Sequence, residues 1–201
     1  MTTTPLFGLR VLDLTNVLAG PFCAHQLAHL GAEVIKVEAP GRGDLARRLG
    51  ADPVLNAAGM GVSFLAQNAG KKSVTLNLKA AAGKEVFLRL VESADVVLEN
   101  FRPGVMSRLG LDYPVLKQAR PDLVYCAISG FGQDGPWVTR PAYDQIVQGA
   151  AGVMSITGDG DSAPLRVGYP LADTVGGMTA AFAIAAALNA RPRGTMIDLS
   201  L

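Results

Sequence analysis

Short apolar runs alternate with longer amphipathic stretches along this chain. Val11–Leu14 (VLDL) is a run of strand length. The turn Thr15–Gly20 follows, and Pro21 suits the first position of a helix, where its missing N–H would be unpaired anyway. Phe22, Leu27 and Leu30 share one face of that helix, and Gly31 supplies a left-handed residue after it. Glu33–Glu38 (EVIKVE) then alternates as a second strand. Strand, helix and strand in this order predict two neighbouring parallel strands joined by a right-handed crossover.

The same rhythm continues after a weakly periodic stretch, 39–70, which is rich in Gly, Ala, Asn and Pro and reads as a long loop with one short helix. Strands are predicted at Ser73–Leu78, Asp95–Leu98, Leu123–Ile128 and Thr195–Leu199. Helices are predicted at Lys79–Ser93, whose apolar positions include Val86, Leu88, Leu90 and Val91, at Tyr143–Met154 and at Ala172–Ala190. Pro103 opens a turn or helix through Arg108, Ser129–Pro141 is a Gly/Pro-rich loop, and Thr157–Pro164 is a turn cluster. Alternating strands and helices give the α/β class with a mostly parallel sheet in one domain.

Composition narrows the class. With 201 residues, 49% hydrophobic and 17% charged, the chain has material for one large core, and it lacks the low hydrophobicity and high net charge of disorder. A net charge of +1 gives no global pull towards nucleic acid. Two cysteines, Cys23 and Cys126, make neither a disulfide framework nor a zinc site, which fits a reducing, cytoplasmic setting. The start, MTTTPLFGLRVLDL, does not read as a secretory leader. Leu171–Ala190 is long enough to span a bilayer, but it carries Asp173 and is mostly Ala and Gly, so a buried helix and no membrane association are expected.

Parallel sheets bind ligands beyond the carboxyl ends of their strands, and three such ends carry notable residues. They are Thr15–Pro21, Glu99–Gly104 and Ser129–Gly132. The first reads NVLAGP where a dinucleotide fingerprint needs G-x-G-x-x-G, which disfavours a simple nicotinamide enzyme. Arg102 and Arg108 flank a Pro-Gly turn, either as solvated surface charges or as forks for phosphate oxygens. Lys71 and Lys72 would add charge for a polyphosphate or lie in solvent. Asp173 heads an apolar helix, either as a capping residue or as a nucleophile or base that the helix dipole keeps ionised, beside Gly176 and Gly177, which would admit a ligand closely. His25 and His29 stand four apart, but Gln26 occupies the place of the general base in H-E-x-x-H, so helix packing or polar contacts are expected and no metal site. Cys23 is expected in the core.

Five blocks, taken in order, resemble the class III CoA-transferases, the CaiB/BaiF family. They are VLDLTNVLAGPFCAHQLAHLGAEVIKVEAPGRGD, KKSVTLNLK, ADVVLENFRPGVMSRLGLDY, YDQIVQGAAGVMSITG and RVGYPLADTVGGM. The resemblance implies a Rossmann-like open sheet with helices on both faces. It also implies transfer of coenzyme A from an acyl-CoA to a carboxylic acid, with CoA as substrate and no permanently bound cofactor. Asp173 matches the family's nucleophile. Ala19, Leu76, Asn77, Leu78, Lys79, Asn100, Phe101, Arg102 and Arg108 match its CoA site, with Arg108 on the nucleotide phosphates, and Tyr143 and Asp144 lie near the thioester end. Backbone N–H groups near Gly176 would serve the oxyanion. The α-methylacyl-CoA racemases resemble the first four blocks, but their histidine falls where this chain has Tyr143, a poorer base near neutrality. Leu18 and Ala39 replace the glutamine and arginine of formyl-CoA-specific members, and Arg42 would restore the charge. Family chains are about twice as long and form interlocked homodimers. Residues 1–201 therefore read as an N-terminal CoA-binding half, with a non-catalytic remnant as the other reading.

Overall fold

The computed structural model describes residues 4–201. Six strands form one wholly parallel sheet: β1 (Arg10–Asp13), β2 (Glu33–Glu38), β3 (Lys72–Thr75), β4 (Val96–Glu99), β5 (Val124–Ser129) and β6 (Thr195–Ser200), in the order β3-β2-β1-β4-β5-β6. Eight α-helices are distributed along the described residues: α1 (Ala19–His29), α2 (Pro53–Ala57), α3 (Val62–Asn68), α4 (Ala81–Glu92), α5 (Val105–Leu109), α6 (Tyr113–Ala119), α7 (Asp144–Ala150) and α8 (Leu171–Asn189). Side chains alternate across the sheet, so each face builds its own core. Val11, Val34, Val96, Leu98, Val124 and Cys126 pack with Cys23 and Leu27 of α1 and Ala180 and Ile184 of α8. Leu12, Val97, Tyr125 and Ala127 pack on the other face with Phe87 and Val91 of α4 and Leu116 of α6. Cys23 and Cys126 are fully buried in the first core.

Several local expectations shift. Helix α1 begins at Ala19, which puts Pro21 third, still among the first-turn positions whose N–H has no helical partner. The 39–70 stretch holds a 3-10 turn at Leu45–Arg48 and two short helices, α2 and α3, instead of one. Asp52 caps α2, its carboxylate accepting from the N–H groups of Val54 and Leu55 at 2.9 and 3.1 Å. Strand β3 stops at Thr75, and α7 stops at Ala150 before a separate 3-10 turn at Val153–Ile156. Helix α6 went unpredicted, although Asp112 before Pro114 marks its start.

Helix α8 departs most from expectation. It is long and apolar enough to cross a membrane by length and composition. Here one face packs on α1 and the sheet, burying Gly176, Gly177, Ala180, Ala181, Ile184 and Leu188. The opposite face, with Val175, Met178 and Phe182, is exposed, so the helix is buried on one side only. Gly176 and Gly177 serve this packing. A Cβ on Gly177 would lie 2.5 Å from the Ala19 carbonyl oxygen, and one on Gly176 would lie 2.4 Å from the Leu201 side chain.

Candidate active site

The sheet order reverses between β1 and β4, and a crevice opens beyond their carboxyl ends. A cleft of about 380 Å³ lies there, lined by Asn16–Ala19, Asn100–Pro103, Ile128–Phe131, Arg140–Tyr143, Leu45, Val138, Leu201 and Asp173. A second hollow of about 420 Å³ shares Arg102, Pro103, Val138 and Arg140 with the first and extends past Gly104 to Arg108. The two hollows thus adjoin along a wall of Arg102, Pro103, Val138 and Arg140, with Asp173 in the lining of the first and Arg108 in that of the second.

Asp173 is the third residue of α8, and the backbone beneath it is braced from α7. The buried Asp144 carboxylate accepts the N–H groups of Ala172 at 2.7 Å and Asp173 at 3.2 Å through Oδ1. Its Oδ2 accepts from Gln148 Nε2 at 2.6 Å, and Gln148 Oε1 accepts the Val167 N–H at 2.9 Å. Leu171 and Thr174 donate to the carbonyls of Tyr169 and Pro170. The four first-turn N–H groups of α8 are thus all engaged, and Gly176 lies deeper in the helix. An oxyanion donor at Gly176 does not fit this arrangement.

Burial, and then the negative charge of Asp144, push the Asp173 carboxyl up to about 6. The expectation that the helix dipole keeps it ionised is corrected: burial and Asp144, which occupies the positive end of α8 and adds like charge, work against ionisation.

The loop after β1 rests on buried ions. Lys36 on β2 is 1% exposed, although strand alternation hides such a position from sequence reading. Its ammonium donates to the Thr15 carbonyl at 2.8 Å and pairs with Asp44 at 2.9 Å. Asp44 Oδ1 accepts the Val17 N–H at 3.0 Å and the Ala46 N–H at 2.9 Å. The Asn100 amide accepts the Asn16 N–H at 2.8 Å and donates to the Asn16 carbonyl at 2.9 Å. Val17 is held at a φ of 69°, a left-handed conformation that is unusual for a β-branched residue. Asp13 completes the network with Lys71, whose ammonium lies 2.8 Å from its carboxylate and also donates to the Pro21 carbonyl and to Asn68. Burial would raise the Asp13 carboxyl, but Lys36 and Lys71 outweigh it and hold it below the ordinary value.

The sequence candidates divide accordingly. Ala19, Asn100, Phe101, Arg102, Tyr143 and Asp173 line the cleft, and Arg108 lines its extension. Asp144 stands behind Asp173 as its brace. Leu76 and Leu78 pack against the far core, while Asn77 and Lys79 are exposed beyond β3, outside the cleft lining. Lys71 is committed to Asp13 and Lys72 pairs with Glu33 at 2.6 Å, so neither is a free charge for phosphate.

Two features escaped sequence reading. Arg140 lines both hollows, its guanidinium 4.5 Å from the Trp137 ring centre, and Trp137 meets Phe131 edge-on. The Lys36–Asp44 pair is the second. Glu99, which opens one of the three strand ends marked in the sequence, is buried at the end of β4 and accepts the Phe101 N–H at 2.7 Å and the Tyr125 hydroxyl at 3.0 Å. Burial lifts its carboxyl to about 7 despite these donors. Arg140 lies in the Gly/Pro-rich loop after a strand, a position where functional residues gather, and that placement was the available cue.

Comparison with known proteins converges on one family. CoA-transferase family III matches residues 6–201. The chain is 48% identical to the acetyl-CoA:oxalate CoA-transferase of Acetobacter aceti, over 98% of this chain and 51% of that protein. It is 45% identical to the succinate–glutarate CoA-transferase of Agrobacterium fabrum, again over 98% of this chain and 51% of the relative. The crystal structure of a CaiB/BaiF family protein from Brucella suis superposes with a TM-score of 0.89 at 40% identity, covering 99% of this chain and 53% of that one. The chain spans about half the length of these relatives. On this evidence it belongs to CoA-transferase family III.

Proposed function

We propose that this chain carries the CoA-binding, nucleophile-bearing half of an enzyme that moves coenzyme A from an acyl-CoA to a small carboxylic acid. The observation that carries this reading is a partly buried carboxylate, Asp173, in the lining of a cleft that also holds Arg102 and Arg140 and adjoins a second hollow reaching Arg108. Such a shape suits a long ligand with a reactive thioester and distant phosphates. Binding energy from the phosphates would be used to place the thioester.

In the proposed reaction an Asp173 oxygen attacks the thioester carbonyl. The C–S bond breaks, CoA leaves as a thiolate with the electron pair, and an acyl-aspartyl anhydride remains. The thiolate attacks the aspartyl carbonyl, expels the donor's carboxylate and forms an aspartyl-CoA thioester. The acceptor carboxylate then attacks that thioester, and the released thiolate takes the new acyl group from the second anhydride, restoring Asp173. Asp144 fixes the backbone that presents the nucleophile. The Lys36–Asp44 pair fixes the loop bearing Val17 and Leu18, and α1, which has no side-chain N-cap, turns its N-terminal residue Ala19 to the cleft, where its dipole favours developing negative charge.

Proton exchange next to the thioester is disfavoured on a specific ground. The chain's two histidines, His25 and His29, both lie on α1 outside the cleft lining, and Tyr143 stands in the cleft instead. Hydroxylamine trapping tests the transfer reading. Incubation with acyl-CoA and hydroxylamine is expected to yield a hydroxamate at residue 173 by mass spectrometry, lost in Asp173→Asn. CoA binding without any modification of Asp173 would reject the nucleophile role and leave a binding remnant. The relatives' names make oxalate, succinate and glutarate the first acids to test.

A further inference from the structure

The HQLAH segment of α1 plays no part in the reaction above, yet its two rings converge. His25 and His29 lie four residues apart on one face, with Nε2 of each 3.0 Å from the other and ring centres 4.2 Å apart. We propose that these two imidazoles chelate a borderline divalent transition ion through their Nε2 atoms, taking copper(II) most tightly.

Two observations support the assignment. Two nitrogens bound at a right angle to one ion, each at about 2.1 Å, stand about 3.0 Å apart, which is the separation found. His25 Nδ1 lies 3.2 Å from the Ala69 carbonyl oxygen. A carbonyl only accepts, so the proton sits on Nδ1 and leaves Nε2 bare towards His29; an N–H to a backbone carbonyl is the usual support of a metal-bound imidazole. In the free protein His29 donates its Nε2 proton to His25. On metal binding, the exposed His29 changes tautomer, carrying its proton on Nδ1.

Imidazole suits copper, nickel and zinc, and the Irving–Williams order puts copper first. Two ligands leave the remaining positions to water. Gln26 provides no base there, so the site is one of binding and not of metal-assisted hydrolysis.

The test titrates metal-free protein with Cu²⁺, Ni²⁺ and Zn²⁺ in a non-coordinating buffer, by calorimetry and, for copper, by electron paramagnetic resonance. One equivalent is expected, strongest for copper, with a hyperfine pattern from two nitrogens and a rise in thermal midpoint. His29→Gln alters an exposed side chain and should keep the metal-free midpoint. It should weaken copper binding by about tenfold or more and abolish the two-nitrogen pattern. Copper binding that survives His29→Gln unchanged, or a wild-type signal from a single nitrogen, would overturn the proposal.

Discussion

In the proposed reaction Asp173 must be ionised to attack a carbonyl, yet half-burial beside Asp144 makes ionisation harder. With its carboxyl pushed up to about 6, it is largely ionised at neutral pH and more basic than an ordinary aspartate. Hydroxamate formation should therefore fall about tenfold per pH unit below an inflection near 6. Asp144→Asn retains an oxygen for the N–H groups of Ala172 and Asp173 and removes the charge, so the inflection should move to lower pH. A pH–rate profile that does not move would dissociate Asp144 from the ionisation of Asp173.

Glu99 offers a second residue-scale test, this time of stability. Its folded-state pKa of about 7 is above the ordinary 4.5, so between those values the folded protein binds more protons than the unfolded chain. Stability from this group is present below pH 4.5 and is lost as pH rises through about 7, by on the order of 3 kcal/mol in total. Glu99→Gln should flatten that part of the curve in denaturant titrations across this range. Glu38 runs the other way. Burial opposes its charge, but Arg47, the Asp44 N–H and Ser73 hold it at about 2, so its contribution is present above pH 4.5 and lost as pH falls towards 2.

At the scale of elements, the loop between β1 and α1 depends on ions from β2 and from the 3-10 turn. Lys36→Met would leave Asp44 buried without its cation, and breaking one partner of such a pair costs about 3–5 kcal/mol. A fall in thermal midpoint of roughly 10 °C is expected by calorimetry. The strands and long helices could be read from sequence because their signal is local: periods of 2 and of 3.6, Gly and Pro at the ends. Asp173, Asn100 and Arg108 could be found because they lie at strand ends or within matching blocks. Lys36 could not, since alternation marks a charged strand residue as solvent-facing unless a loop folds over that end of the sheet. Nor could the Asp144 cap, because it joins backbone groups 28 residues away in the chain.

At the scale of the whole molecule, a net charge of +1 coexists with a cleft lined by Arg102, Arg108 and Arg140. Under the proposed function, these few local arginines would supply the anion recognition that the net charge does not. Arg108→Gln should weaken CoA by about 10- to 100-fold in calorimetry, the scale of a lost charge-assisted bond. Asp173→Asn should leave that affinity nearly unchanged, since it acts at the reacting end.

The buried thiols acquire a meaning from this chemistry. Each proposed turnover sets free a CoA thiolate, the species that attacks disulfides and, once oxidised, captures protein thiols. Cys23 and Cys126 lie sealed between sheet and helices, and burial drives both thiols up, Cys126 to about 12. Neither presents a thiolate for mixed disulfide formation with oxidised CoA. Native protein should thus react with no equivalent of a thiol reagent such as Ellman's, and denatured protein with two. The core that stabilises the sheet would also keep the chain's own thiols out of the proposed reaction, which is conducted through sulfur.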